Sequence, residues 1–191
     1  MPNAQKFIIL SAPSGAGKTT IAKHLLEAGL GLEFSITACS RTKRTGETDG
    51  VDYYFISAEE FKTRVKAGDF VEWEEVYPDQ FYGTLKSEIK RIHEKGHSVL
   101  FDVDVVGGLN IKKIYKDRAL ALFISPPSFG ALKERLEKRA TDPPEKIRIR
   151  LAKAKIELER APEFDIIIVN DNLEEAQAKA EKLVREFVDG R

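Results

Sequence analysis

Short apolar runs that suit strands alternate along this chain with longer amphipathic stretches that suit helices. Phe7–Ser11 precedes Thr19–Ala28, Ser98–Val103 precedes Gly108–Tyr115, Leu120–Ser125 precedes Ser128–Arg139, and Asp165–Val169 precedes Leu173–Val188. A continuously apolar strand suits burial on both faces, and a helix after each such strand supplies the crossover that parallel pairing needs. The pattern predicts an α/β fold, a parallel sheet covered by helices. Helix starts carry marks of their own. Asp142-Pro143-Pro144-Glu145 and Asn172-Leu173-Glu174-Glu175 place a capping side chain three residues before a Glu, which satisfies otherwise unpaired N–H groups of a first turn.

Two stretches break the rhythm. Between residues 35 and 93, the β-like pieces Val51–Ile56, Phe70–Val76 and Phe81–Thr84 accompany a helix begun by Ser57-Ala58-Glu59-Glu60, which reads as an inserted α+β lobe. Residues 126–160 are Pro-bounded and rich in Arg, and read as a helical lid. Residues 1–34, 94–125 and 161–191 then form the core. A chain of 191 residues suits one core with such excursions.

Composition narrows the class. Hydrophobic residues make up 42% and charged residues 32%, and no apolar run nears the roughly 18 residues of a membrane span. The start, Met1 to Lys6, leads directly into Phe7–Leu10, which is too short for a secretory signal, so a cytoplasmic protein is expected. Basic and acidic residues balance at 31 each, so no surplus positive field draws the chain to nucleic acid. Cys39 is the single cysteine and reads as a small strand residue; with His24, His93 and His97 it makes no zinc-ligand spacing.

The strongest chemical signal is Ser11-Ala12-Pro13-Ser14-Gly15-Ala16-Gly17-Lys18-Thr19-Thr20, set between a strand and a helix. Gly15 and Gly17 allow a tight turn whose N–H groups converge on a phosphate, and the helix adds the positive end of its dipole. Pro13 to Thr20 would therefore cradle ATP, with Lys18 on the β- and γ-phosphates and the Thr19 hydroxyl on Mg²⁺. Ala12 stands where the usual pattern has its first Gly, so its backbone must suit a Cβ. Asp102 ends the apolar strand Val99-Leu100-Phe101, where a carboxylate can approach the same Mg²⁺ or simply terminate the strand.

The acceptor must be sought in the excursions. Arg41 and Arg44, in Ser40-Arg41-Thr42-Lys43-Arg44-Thr45-Gly46-Glu47, can present guanidinium forks to a second phosphate or form a solvated basic turn. Gly50-Val51-Asp52-Tyr53-Tyr54-Phe55 follows, then Phe70-Val71-Glu72-Trp73-Glu74, Phe81-Tyr82-Gly83-Thr84 and Asp102-Val103-Asp104. With Arg135-Leu136-Glu137-Lys138-Arg139 and Ile168-Val169-Asn170-Asp171, these motifs closely resemble the guanylate kinase family over nearly the whole chain.

The resemblance implies a P-loop NTPase-type parallel core with a GMP-binding lobe and a lid. It implies reversible phosphoryl transfer from ATP to GMP, and to dGMP, with Mg²⁺ accompanying ATP. The GMP phosphate then falls to Arg41, Arg44, Tyr53 and Tyr82, and the base to Thr37, Glu72, Thr84 and Asp104. Guanine's N1–H and 2-amino donors match carboxylates, and its O6 accepts from a hydroxyl. Asn170 is expected to border the adenine of ATP. Arg135 and Arg139, four residues apart on one helix face, and Arg150 on the next helix either close over the transferring group or pair with Glu134 and Glu137. Trp73 and Phe70 are expected in the core. A non-catalytic phosphopeptide-binding module and a kinase for another phosphate ester are the alternatives, and oligomeric state is left open.

Overall fold

The computed structural model describes residues 5–138 and 143–190. Its main sheet has five strands in the order β2 (Leu32–Phe34), β7 (Ser98–Asp102), β1 (Phe7–Ser11), β8 (Ala119–Ser125) and β9 (Ile166–Val169). Every pairing within it is parallel, as the alternating pattern predicts. All five residues of β1 are buried because both faces are covered. Ile8 and Leu10 pack beneath α1 (Lys18–Glu27) and α7 (Leu173–Asp189). Phe7 and Ile9 pack on the other side with Ile89 and Ile92 of α3 (Lys86–Glu94) and Leu109 and Ile111 of α4 (Val105–Tyr115).

The register pairs Leu10 with Asp102, so β1 and β7 end side by side. The loop leaving β1 thus opens next to the carboxylate that ends β7, in the crevice outside the carboxyl ends of the strands where α/β sheets bind ligands. Helix α4 begins at Val105 rather than at the expected Gly108. The Asp104 side chain caps it, accepting from Gly107 N at 2.9 Å, and three further residues are thereby recruited into the helix.

A second, mixed sheet runs β4 (Tyr54–Phe55), β3 (Ala38–Cys39), β6 (Gln80–Leu85) and β5 (Phe70–Tyr77). Its own core is Phe61, Phe70, Phe81 and Leu85 under α2 (Ala58–Ala67). The strand expected over Val51–Ile56 shrinks to Tyr54–Phe55, because Asp49 and Asp52 carboxylates bond Phe55 N and Thr48 N and curl the preceding residues into a turn. Cys39 lies buried in β3 as read. The sequence pattern does not announce β2 or α3. Glu88 of α3 joins the two sheets, accepting from Ile36 N at 3.1 Å and the Tyr54 hydroxyl at 3.0 Å.

Trp73 is not a core residue. Between Phe70 and Glu72 the β5–β6 register shifts, with Phe70 opposite Leu85 and Glu72 opposite Thr84. This bulge places one extra residue on β5 and breaks strict alternation. Phe70 and Trp73 consequently share the α2 side, where Phe70 is buried against Phe61 and Trp73 is exposed beside Phe81. Glu72 and Glu74 turn to the opposite face.

Helices α5 (Phe129–Lys138) and α6 (Pro144–Glu159) form a small cluster through Leu132, Leu136 and Ala154. Asp142, the expected cap of α6, lies outside the described residues; Pro143 is the N-cap, followed by Pro144, whose fixed φ suits a first turn. Asn172 caps α7 as read, accepting from Glu175 N.

Gly83 tests the packing beneath Glu72. A Cβ there would stand 2.8 Å from Glu72 O and 2.8 Å from Phe70 Cδ1. Gly83→Ala is expected to lower stability by about 1–3 kcal/mol in urea unfolding, whereas Gly130→Ala, in an open helical position, leaves it unchanged or raises it by about 1 kcal/mol.

Candidate active site

The phosphate loop connects β1 to α1. Gly15 and Gly17 have φ of 95° and 96°, a left-handed backbone that other residues rarely adopt. Ala12 is not among the positive-φ residues and is buried in the apolar cluster, so a first glycine is unnecessary. No side chain caps α1, and its first-turn residues Lys18, Thr19 and Thr20 line a cavity of about 500 Å³ together with Pro13, Ser14, Gly15 and Gly17. Ala16 is fully buried instead. Lys18 forms an ion pair with Asp102 and donates from Nζ to Val103 O at 2.8 Å.

Asn170 lies under this loop. It is 4% exposed, and its Nδ2 donates to Ala16 O at 2.7 Å while crowding the space a Cβ on Gly17 would need. The side chain expected beside adenine is thus bonded to the loop's own backbone. Arg135 of α5 in turn donates to Asn170 O at 2.9 Å, and Arg150 of α6 reaches Ser14 Oγ at 2.9 Å. Among the described residues, Glu134 and Glu137 approach Lys138 and Lys133. Arg139 lies outside the described residues.

The opposite wall comes from the second sheet and its adjoining loops, joined by the start of α4. Thr37, Tyr53, Glu72, Tyr82 and Asp104 line the same cavity. Glu72 is 9% exposed; its Oε1 accepts from Thr84 Oγ1 at 2.9 Å, and Thr84 sits buried behind it. Burial, with the nearby Asp104 charge adding to it, pushes the Glu72 carboxyl up to about 7. Gly107 leaves the space these carboxylates use: a Cβ there would lie 3.2 Å from Glu72 Oε2 and 3.4 Å from Asp104 Oδ1.

Arg41 and Arg44 stand at the margin. Arg41 is gripped bidentately by Glu47 at 2.7 and 2.6 Å and lies over the Tyr53 ring, 4.8 Å from its centroid. The guanidinium, through its hydrogen bonds, holds Glu47 down to about 2. The Arg44 side chain is exposed and its backbone N–H bonds Glu47 at 2.8 Å. The basic segment is thus ordered by an internal acid that motif reading left without a role.

Glu74, Lys153 and Glu157 also line the cavity and were missed in the sequence. For Glu74 a signal existed, since it follows Glu72 by two residues on a strand. For the α6 pair none existed, because nothing in a helical pattern tells which face meets a distant strand.

A parallel sheet with Lys18 on a strand–loop–helix turn, and Asp102 ending the adjacent strand, defines a P-loop nucleotide-binding protein of the α/β class. The sequence model of the guanylate kinase family matches residues 4–187. A guanylate kinase of Bacteroides thetaiotaomicron is 52% identical over 183 residues, covering 96% of this chain and 90% of that one. One from Salinibacter ruber is 50% identical over 188 residues, covering 98% and 99%. The crystal structure of guanylate kinase from Anaplasma phagocytophilum superposes with a TM-score of 0.76 at 30% identity, covering 96% of this chain and 86% of that one. The chain belongs to the guanylate kinase family. These relatives bear the name of kinases, which sets aside the binding-module alternative.

The raised Glu72 carboxyl has a consequence for stability. Its native value of about 7 exceeds the ordinary 4.5, so the folded state holds this proton more tightly than the unfolded chain. The associated stability is full below about pH 4.5 and is lost as pH rises through about 7. Relative to wild type, the unliganded Glu72→Gln protein should gain on the order of 3 kcal/mol between pH 4.5 and pH 8. Urea midpoints at the two pH values check it; an equal difference at both refutes the assignment.

Proposed function

We propose that this protein catalyses reversible transfer of the γ-phosphoryl group of ATP to GMP, and to dGMP, giving ADP and GDP. The observation that carries the reading is the buried Glu72–Thr84 pair, which stands with Asp104 across one cavity from the Lys18 loop. Carboxylates accept from guanine's N1–H and 2-amino group. Adenine would leave them unmatched, a mispairing that discriminates by about 10⁴ or more. Thr37 adds a hydroxyl on the same wall.

Arg41 and Arg44, with the Tyr53 and Tyr82 hydroxyls, receive the acceptor phosphate; Arg41 then shares its fork with Glu47. The acceptor oxygen is already ionised near neutral pH, so the protein supplies position and positive charge rather than a base. Pro13 to Thr20 cradle the ATP phosphates and Lys18 exchanges Asp102 for them. Arg135, Arg139 and Arg150 neutralise charge from the helical side, and Asn170 keeps the loop in shape.

The donor set suits Mg²⁺. Thr19 and Asp102 offer hard oxygens of the kind Mg²⁺ takes, and would hold it together with the phosphates of ATP. When bound, Mg²⁺ offsets the charge of the β- and γ-phosphates. Residues 1–34, 94–125 and 161–191 act as the ATP-binding core, 35–93 as the GMP lobe and 126–160 as a lid. We place the enzyme in cytoplasmic purine nucleotide metabolism, with neither nucleic acid nor membrane as partner.

A coupled ADP-release assay with GMP, dGMP, AMP, IMP and sugar phosphates tests this. Turnover with GMP and dGMP, abolished by EDTA, is expected; no turnover with GMP overturns the reading. Glu72→Gln should lower kcat/KM for GMP by about 10- to 1000-fold while sparing the KM for ATP, and unchanged GMP kinetics would sink the base assignment.

A further inference from the structure

The acceptor end of the cavity carries more acid than one guanine edge requires. Glu72 and Glu74 from β5, Asp104 beyond β7 and Glu157 from α6 all line it, and Glu74 stands against Asp104, carboxyl to carboxyl, with its own carboxyl raised by burial and by that neighbour. The base of GMP is neutral, so it brings nothing to offset these charges. Burial raises the Glu72, Glu74 and Glu157 carboxyls, so proton uptake relieves part of the charge, and a protein cation beside the cluster offsets what remains.

The other nearby cations make their direct bonds elsewhere, although the Lys18 charge also reaches Glu157. Lys18 is held by Asp102 and Val103 O, and Arg160, whose charge reaches Glu74 and Asp104, is forked onto Glu163. Lys153 of α6 stands against the cluster itself. Its Nζ is 3.8 Å from Asp104 Oδ2 and 3.7 Å from Glu157 Oε1, and its charge acts on Glu74 as well. Asp104 Oδ1 is taken by the N-cap bond to Gly107, which leaves Oδ2 to meet both Lys153 and a ligand.

We propose that Lys153 is a positioning residue for the acceptor pocket: its ammonium lets Asp104 and Glu74 stand side by side facing the base, and it ties α6 to that side of the cavity. Glu74 thereby extends the acceptor surface formed by Glu72 and Asp104. This role rests on GMP being the acceptor.

Steady-state kinetics and GMP calorimetry on the full chain decide it, using wild type, Lys153→Met, Lys153→Arg, Glu74→Gln and the Lys153→Met/Glu74→Gln pair. Lys153→Met should raise KM and Kd for GMP about five- to tenfold, leave kcat and the KM for ATP within about twofold, and be largely rescued by Lys153→Arg. In the double variant the two effects should not multiply, because they remove one interaction. A GMP KM within about twofold of wild type in Lys153→Met, an equal rise in the KM for ATP, or fully multiplicative effects overturns the proposal. Absence of GMP turnover in wild type is instead a failure of the kinase reading, and the calorimetric arm still reports on Lys153.

Discussion

Lys18 sits where three parts of the molecule meet, and its ion pair with Asp102 is the contact on which the site is built. A lysine ammonium at the mouth of a parallel sheet needs a counter-charge, and the register of β1 with β7 supplies one at the neighbouring strand end. The same Nζ bonds Val103 O, just before Asp104 caps α4. One side chain thus locks the start of α1, the end of β7 and the entry to α4 into a common frame. The crevice between them already has cationic and oxygen-donor groups in place.

Around that frame the polar chemistry divides by sign. The loop side presents Lys18, Arg150 and the open first turn of α1, an environment for phosphates. The far wall presents Glu72, Glu74 and Asp104, an environment for hydrogen-bond donors. Burial keeps the two regimes distinct: Glu72, shielded by Thr84 and the close packing at Gly83, is displaced toward neutrality, whereas Glu47 in contact with Arg41 is displaced toward charge. A nucleotide spanning such a cavity meets opposite surfaces at its two ends.

The helices α5 and α6 are tied to this arrangement by polar contacts more than by a large apolar interface. Leu132 and Leu136 rest on Gly15, where a Cβ would come within 3.0–3.3 Å of them. Beyond that, Arg135 reaches Asn170, Arg150 reaches Ser14 and Lys153 reaches Asp104. Each of these contacts joins a long, charged side chain of the two helices to the crevice around Lys18.

The sequence by itself determined what depends on neighbouring residues. The alternating apolar runs specified the parallel core, the capping side chains at Ser57 and Asn172 marked helix starts, and Gly15, Gly17 and Lys18 announced the phosphate loop, because turn conformation and helix initiation are local. Tertiary structure decided the rest. A bulge beside Val71 sends Glu72 and Glu74 to the cavity and Trp73 outward; the start of α4 brings Asp104 close to Glu72; Glu47 claims Arg41; Asn170 goes beneath the loop; and Lys153 meets Asp104, far away in the chain. Register, burial and charge pairing between distant segments are properties of packing, and no local pattern of residues encodes them.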